Sequence, residues 1–229
     1  MSEHETIIDL QKVSCDFRAG KNTVRALTNI NLSIRSTDFV IVNGPSGCGK
    51  STLLNVILGL EKPTKGEVTV REMNLFRANS DQRARFRASK IGMVYQMFYW
   101  IKSLNALENA AFPLIINGSK ESEALAHAKK LFVELGIAEL AGQNPSHLSG
   151  GQQQRVAVAR AMAVNPWIIL ADEPTGNLDS KAGDELMNWF KKINRQHKRT
   201  IVLVTHNEAY WSWGNRQVEM KDGRIVRDA

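Results

Sequence analysis

Residues Gly44–Thr52 match the phosphate-loop pattern G-x-x-x-x-G-K-[ST]. Phosphate oxygens are bound by several backbone N–H groups aimed at one point, and so sharp a bend needs glycine where a side chain would clash. Lys50 would bring an ammonium group to the β- and γ-phosphates, and the Ser51 hydroxyl would bind Mg²⁺. The pattern predicts a nucleoside triphosphate site formed by Gly44, Pro45, Ser46, Gly47, Cys48, Gly49, Lys50, Ser51 and Thr52.

Two carboxylates follow an apolar run, Ile168–Ala171, that reads as a buried strand. Ligand chemistry in α/β sheets is found where such strands end. At that position Asp172 would hold Mg²⁺, directly or through water, and Glu173 would polarise an attacking water. Many strands end in acids, so the pair gains its meaning from the phosphate loop earlier in the same chain.

A second phosphate-binding feature is predicted at Leu148-Ser-Gly-Gly-Gln152. Two glycines that open a helix expose backbone N–H groups at its positive end, beside the hydroxyl of Ser149. Ser149 also suits the plainer role of helix N-cap, and the two roles are compatible.

The sequence around these sites predicts the elements that position them. Phe39–Val42 reads as a buried parallel strand leading into the phosphate loop, and Thr52–Leu58 as a buried helix leaving it. Strands and helices alternate again from residue 167 to residue 205, which indicates a parallel sheet covered by helices. Between about residues 97 and 165 helical patterns dominate, one of them, Asn105–Ile116, interrupted by Pro113.

Composition narrows the class of protein. The 229 residues are 43% hydrophobic and 23% charged, as in ordinary globular proteins, and suffice for a sizeable core. The sequence predicts no transmembrane helix and no signal peptide, and its two cysteines suit a reducing cytoplasm.

The net charge of +7 is concentrated in two clusters. Nucleic acid, anionic lipid or an acidic partner would suit such surfaces, although solvated faces of an ordinary enzyme explain them as well. The first cluster is relieved by Asp81 and the second contains no acid. The basic residues are Arg77, Arg83, Arg85, Arg87 and Lys90, then Lys191, Lys192, Arg195, Lys198 and Arg199.

The order of these motifs resembles that of the nucleotide-binding domain of ABC transporters, over essentially the whole chain. The resemblance implies one domain, residues 1–229, of the α/β class. A RecA-like core with a parallel sheet and an antiparallel β subdomain would comprise residues 1–96 and 166–229, and a helical subdomain about residues 97–165. It also implies the cofactors ATP and Mg²⁺ and an ATPase activity coupled to transport.

The resemblance assigns roles to further residues. Gln96 matches the glutamine that links Mg²⁺ to the helical subdomain, and His206 matches the switch histidine that contacts the γ-phosphate. Phe17 falls where the family stacks an aromatic ring on adenine, although a core phenylalanine would also fit there. The family's D-loop corresponds to Asn177, Leu178 and Asp179.

The resemblance further implies a head-to-tail homodimer. In the family, the signature segment faces the γ-phosphate of ATP held by the other subunit, so two copies enclose two ATP molecules. ATP favours the closed dimer, and hydrolysis removes the phosphate that links the halves. The signature residues are Ser149, Gly150, Gly151 and Gln152.

Within the family, Ala171–Asp179, Leu107–Asn109 and the compact length resemble the branch of lipoprotein-releasing, macrolide-exporting and cell-division ATPases. This implies a peripheral protein at the cytoplasmic face of the inner membrane, working with an integral membrane permease. The aromatic segment Met97–Ile101 is predicted to dock that permease, with a locally buried cluster as the alternative. Tyr210–Trp213 is also unusual for the family, and the sequence suggests no function for it.

Two other functions compete with this interpretation. The charge of +7 suits a nucleic-acid-linked or ribosome-linked ATPase of the same superfamily, but the chain lacks the second cassette or long coiled coil of such proteins, so no nucleic acid is expected. A regulatory subunit that does not hydrolyse ATP is disfavoured because Lys50, Asp172, Glu173 and His206 are all present.

Overall fold

The computed structural model describes residues 5–20 and 22–229, which form two sheets and a set of helices. The larger sheet has the strand order β10-β9-β3-β8-β7-β6, in which β10 is antiparallel to β9 and the other neighbours are parallel. The smaller sheet is antiparallel, in the order β2-β1-β4-β5. The strands are β1 (Thr6–Ala19), β2 (Asn22–Arg35), β3 (Phe39–Asn43), β4 (Lys65–Val70), β5 (Met73–Asn74), β6 (Ile91–Val94), β7 (Ile168–Asp172), β8 (Thr200–Thr205), β9 (Arg216–Lys221) and β10 (Arg224–Asp228).

The central strands are buried on both faces because helices cover one face of the parallel sheet and the first helix, with the small sheet, covers the other. Phe39–Val42, Ile168–Ala171 and all of β8 are buried, which explains the unbroken apolar runs of the first two and of residues 201–204 in β8. The helices are α1 (Lys50–Ile57), α2 (Ser80–Lys90), α3 (Ala106–Ile116), α4 (Glu121–Glu134), α5 (Gly150–Met162) and α6 (Ser180–His197).

Helices α3, α4 and α5 pack on one another through small buried side chains such as Ala110, Ala128 and Ala157. Asn105 begins α3 with a capping box. Contrary to the sequence expectation, Pro113 does not interrupt this helix, which continues to Ile116. Pro113 lies in the last turn, so the missing N–H removes one hydrogen bond close to where the ladder ends anyway.

Helix α5 lies directly against β6 at Gly92. A β-carbon at Gly92 would overlap the carbonyl oxygen of Ala161 and lie 3.2 Å from Cγ of Pro166. Only glycine therefore lets the backbone of α5 approach the sheet so closely.

Two further parts of the fold differ from the sequence-based expectation. Strands β1 and β2 are each 14 residues long and form a ribbon that extends well beyond the apolar segments predicted. Strands β9 and β10 were not predicted. None of the helices in the described residues is long and apolar enough to cross a bilayer.

Candidate functional site

The phosphate loop connects β3 to α1 and bends through left-handed glycine. Gly49 caps α1 with φ of 105°, and a β-carbon there would overlap the carbonyl oxygen of Ala26 in β2. The small sheet therefore lies directly against the loop, and glycine is needed both for its backbone angle and for this close contact.

Lys50 is the first residue of α1, and its side chain is only 7% exposed. Its ammonium group donates to the carbonyl oxygens of Gly44 at 2.7 Å and Pro45 at 3.0 Å. The same nitrogen lies 3.9 Å from Oε1 of Glu173. Lys50 is thus held inside the curve of the loop and beside the predicted catalytic carboxylate.

Asp172 ends β7 and faces the start of α1. The Ser51 hydroxyl donates to Oδ1 of Asp172 at 3.2 Å, which joins two predicted Mg²⁺ ligands from opposite sides of the site. Burial raises the pKa of Asp172 above its usual value, and the hydrogen bond from Ser51 opposes that shift.

Glu173 is held in a strained backbone conformation. Its φ is 48°, in the left-handed region that a glutamate seldom adopts, and its N–H donates to the carbonyl oxygen of Val204. Its Oε2 lies 2.9 Å from Nδ1 of His206 and accepts the His206 backbone N–H at 3.3 Å. The sequence identified both side chains, but the backbone strain that turns Glu173 towards His206 has no sequence signal.

These residues surround one cavity of about 790 Å³. Gln96 reaches it from the segment after β6, and its amide lies against Gly176. Three lining residues were not predicted: Val24, Arg25 and Ala26, contributed by β2 where it crosses the loop. The predicted residues that line the cavity are Pro45, Ser46, Gly47, Gly49, Lys50, Ser51, Thr52, Gln96, Asp172, Glu173 and His206.

Gly44, Cys48 and Phe17 are not among the lining residues. The Cys48 side chain is 4% exposed and packs in the apolar core, where burial raises the pKa of its thiol. Phe17 is 37% exposed and pairs with Val24 across the β1–β2 ribbon. Directly paired residues project on the same face of a sheet, so Phe17 borders the cavity wall that Val24 contributes.

The signature segment lies elsewhere on the chain, at the start of α5. The Ser149 hydroxyl accepts the Gln152 N–H at 3.3 Å, and the Gln152 side chain accepts the Ser149 N–H at 2.9 Å. A β-carbon on Gly150 would lie 3.4 Å from Leu178, and one on Gly151 would lie 3.2 Å from Ala182. The structure therefore brings the signature segment against the D-loop, but neither lines the cavity at the phosphate loop.

The donor set at the cavity fits a hard divalent cation. Mg²⁺ prefers oxygen ligands, and the Ser51 hydroxyl, the Asp172 carboxylate and the Gln96 amide all border the same space. Together with a loop of backbone N–H groups and a buried lysine, this geometry defines the class as a phosphate-loop nucleotide-binding protein.

Comparison with known proteins identifies the family. The family model described as ABC transporter matches residues 27–176. The uncharacterized ABC transporter ATP-binding protein MJ0796 of Methanocaldococcus jannaschii is 44% identical over 226 residues, covering 97% of this chain and 96% of that protein. The lipoprotein-releasing system ATP-binding protein LolD of Geobacter metallireducens is 41% identical over 228 residues, covering 100% of both.

A solved structure agrees. The ATP-binding cassette MJ0796, in a dimeric post-hydrolysis state bound to ADP and Pi, superposes with a TM-score of 0.90 at 41% identity, covering 97% of each chain. The chain therefore belongs to the ABC transporter family. It is an ATP-binding subunit similar to lipoprotein-releasing and macrolide-export proteins, and an ATPase with the cofactors ATP and Mg²⁺. The predicted fold class is confirmed.

Proposed function

We propose that two copies of this chain close around two ATP molecules and so drive an integral membrane permease. The observation that carries this proposal is that the signature segment, with Ser149 exposed, contributes no residue to the lining of the cavity in its own chain. A second copy turned head to tail would bring each signature segment to the other copy's loop.

In each half-site the chain's own residues bind and orient the nucleotide. The phosphate loop would surround the phosphates with N–H groups, and Lys50 would exchange its loop carbonyls for phosphate oxygens. Phe17 would stack on the base beside Val24. Ser51, Gln96 and Asp172 would hold Mg²⁺, which when bound neutralises charge on the phosphates.

Glu173 and His206 act on the attacking water. The partly buried Glu173 carboxylate would accept its proton, and its Oε1 lies 3.9 Å from the Lys50 ammonium group. His206 is held by Glu173, and its imidazole is 62% exposed on the cavity side, where it would contact the γ-phosphate.

The signature segment completes the site from the other copy. The free N–H groups at the start of α5, Ser149 and Gln152 would contact the γ-phosphate, with Gly150 and Gly151 allowing the close approach. The D-loop, Asn177–Asp179, packs beside the signature segment and would cross the same interface.

The docking segment Met97–Ile101 alternates between exposed and packed side chains. Met97 and Tyr99 are 65% and 69% exposed, whereas Phe98 and Trp100 stack on each other at 5.6 Å and pack on the core. Arg160 of α5 donates to the carbonyl oxygens of Phe98 and Tyr99. The buried-cluster alternative therefore describes half of the segment, and the exposed half remains available to a partner.

The proposed partner is a permease of the kind that works with lipoprotein-releasing or macrolide-exporting ATPases. In the macrolide export protein MacB of Mannheimia succiniciproducens, ATP-binding and permease functions are named together; the 222 matched residues are 40% identical and cover 34% of that protein. We therefore assign this chain to the cytoplasmic face of the inner membrane, as a peripheral subunit. We also propose that residues 1–229 form a single domain. Nucleic-acid or ribosome binding is the alternative.

Co-purification from the native host tests the proposal. A tagged Glu173→Gln chain is expected to recover an integral membrane protein from mild detergent extracts with ATP present. A Lys50→Ala chain, in which ATP binding is expected to be lost, is the control. Recovery of ribosomes or nucleic acid without a membrane protein would overturn the assignment.

A further inference from the structure

The segment after His206 is a 3₁₀ helix, Glu208–Trp213, that contains three aromatic residues outside the nucleotide cavity. Tyr210 is 4% exposed and meets Trp213 edge to face at 5.7 Å. The ammonium group of Lys191, from α6, lies 4.0 Å from the centre of the Trp213 ring. The aromatic residues thus fasten this 3₁₀ helix to α6.

Tyr210 also packs against Gly183 of α6. A β-carbon on Gly183 would overlap the Tyr210 hydroxyl, lie 3.3 Å from its Cζ and lie 3.8 Å from Cγ2 of Thr175. The backbone of Gly183 is ordinary helix, so glycine is needed here for the approach of Tyr210 and not for a special backbone angle. The missing side chain of Gly183 thus leaves the space that the Tyr210 phenol occupies.

Both sides of this contact lead to residues of the nucleotide site. On one side, Gly183 donates its N–H to the carbonyl oxygen of Asp179, the D-loop residue whose side chain caps α6. On the other side, the Tyr210 N–H donates to the carbonyl oxygen of Asn207 at 3.2 Å, next to His206. The contact therefore connects the D-loop to the backbone of the switch histidine through two short steps.

The position of His206 depends on its backbone because its side chain makes few contacts. The imidazole is 62% exposed, and Glu173 is the side chain that contacts it. Where the ring lies relative to Glu173 therefore depends on the backbone on either side, held by β8 before it and by the 3₁₀ helix after it.

We propose that Tyr210, seated on Gly183, is a positioning residue that holds His206 against Glu173 during ATP hydrolysis. This inference rests on the role assigned to His206 above. Burial, and then the neighbouring Asp184 carboxylate, raise the pKa of Tyr210, which keeps the phenol protonated and able to donate a hydrogen bond.

Gly183→Ala is the primary test. Alanine favours a helix more than glycine does, so a loss of activity would come from displacing Tyr210 and not from weakening α6. We expect kcat of the full chain to fall about tenfold while KM for ATP changes by less than about twofold. The control is Gly142→Ala, whose added carbon meets nothing within 4 Å. Thermal unfolding establishes that each variant is folded at the assay temperature.

Tyr210→Phe provides the compensating change. Removing the hydroxyl removes the atom that overlaps the added methyl, so Gly183→Ala/Tyr210→Phe is expected to recover about half or more of the lost kcat. Recovery would be partial, because the ring carbon would still lie 3.3 Å from the new methyl. If the kcat of the double variant were no higher than that of Gly183→Ala, the proposed contact between Tyr210 and Gly183 would be overturned as the cause of the loss.

A His206→Ala background tests whether the effect passes through the histidine. If it does, adding Gly183→Ala to His206→Ala lowers kcat no further. A further loss of about tenfold would overturn the positioning role and leave the assignment of His206 intact. Full turnover in His206→Ala alone would instead overturn the assignment of His206, and this inference with it.

Discussion

The chain has two predicted phosphate-binding segments, the phosphate loop (Gly44–Thr52, the loop end) and the signature segment (Leu148–Gln152, the signature end). They are built in opposite ways. At the phosphate loop, Lys50 is 7% exposed and held by two carbonyl oxygens, and Ser51 and Asp172 already contact each other. At the signature end, Ser149 is exposed, and its capping box with Gln152 satisfies only the local backbone.

The difference shows which half of the site each chain can organise alone. The loop end is preorganised by contacts with β2, β7 and β8, so it needs little rearrangement to bind phosphate. The signature end is rigid but faces outward, which suits a surface that acts on a molecule bound elsewhere. Nucleotide affinity should therefore depend on the loop end, and closure of the dimer on both ends.

The largest effect is expected from Lys50→Ala. It removes the buried ammonium and leaves the carbonyl oxygens of Gly44 and Pro45 without their donor, so ATP affinity should fall by about 100-fold or more. Titration with a fluorescent ATP analogue measures this, with Lys129→Ala on the exposed face of α4 as control. Affinity within a few-fold of the parent chain would contradict the role given to the loop.

Glu173→Gln should separate binding from turnover. The amide keeps the shape of the side chain but cannot accept a proton, so kcat should fall by about 10²-fold to 10⁴-fold with ATP affinity preserved. Size-exclusion chromatography with ATP should then detect an accumulated dimer. If the variant stayed monomeric with saturating ATP, the composite site would require the permease or would not exist, and the reconstituted complex would decide between them.

Ser149→Arg, made in the Glu173→Gln chain, addresses the signature end alone. A bulky cation at the exposed cap should abolish the ATP-dependent dimer while ATP affinity of the monomer changes by about twofold or less. Loss of the cap should cost about 1 kcal/mol of stability, which denaturant unfolding measures. Ser146→Arg, on the neighbouring exposed turn, is the matched control. A weakened monomer affinity would mean that the signature segment reaches the loop of its own chain.

Tyr99→Ala should have the smallest effect on the isolated chain. Its ring is 69% exposed and lines no part of the nucleotide cavity, so ATP affinity should be retained while recovery of the membrane partner falls. Quantitative pull-down measures this, with Val133→Ala, another exposed apolar residue, as control. Equal recovery from both variants would exclude Tyr99 from the docking surface.

The sequence predicted the strand–loop–helix units well because their physical signals are local. The buried strands Phe39–Val42 and Ile168–Ala171 read as apolar runs, and the loop between β3 and α1 is encoded by its glycines. The order of motifs was enough to predict the family and the ATPase activity, both of which are confirmed.

The parts that escaped prediction depend on long-range contacts. Strand β9 alternates buried Val218 and Met220 with polar residues, a pattern too short to stand out, and it is fixed by pairing with the distant β3. The cavity wall at Val24–Ala26 matches no motif in the sequence, and it becomes part of the site only because β2 packs over Gly49. Roles of the individual site residues remain predictions.

The close contact of α5 with β6 at Gly92 affects the position of the signature segment at the other end of the helix. Helix α5 contacts β6 at Ala161, and at 1.5 Å per residue this contact lies about 18 Å along the helix from Ser149. A tilt of the helix by about 3° at that contact would move Ser149 by about 1 Å, which is enough to lengthen a hydrogen bond to phosphate beyond its usual distance. A single methyl added under the far end of the helix could therefore misalign the signature segment without touching it.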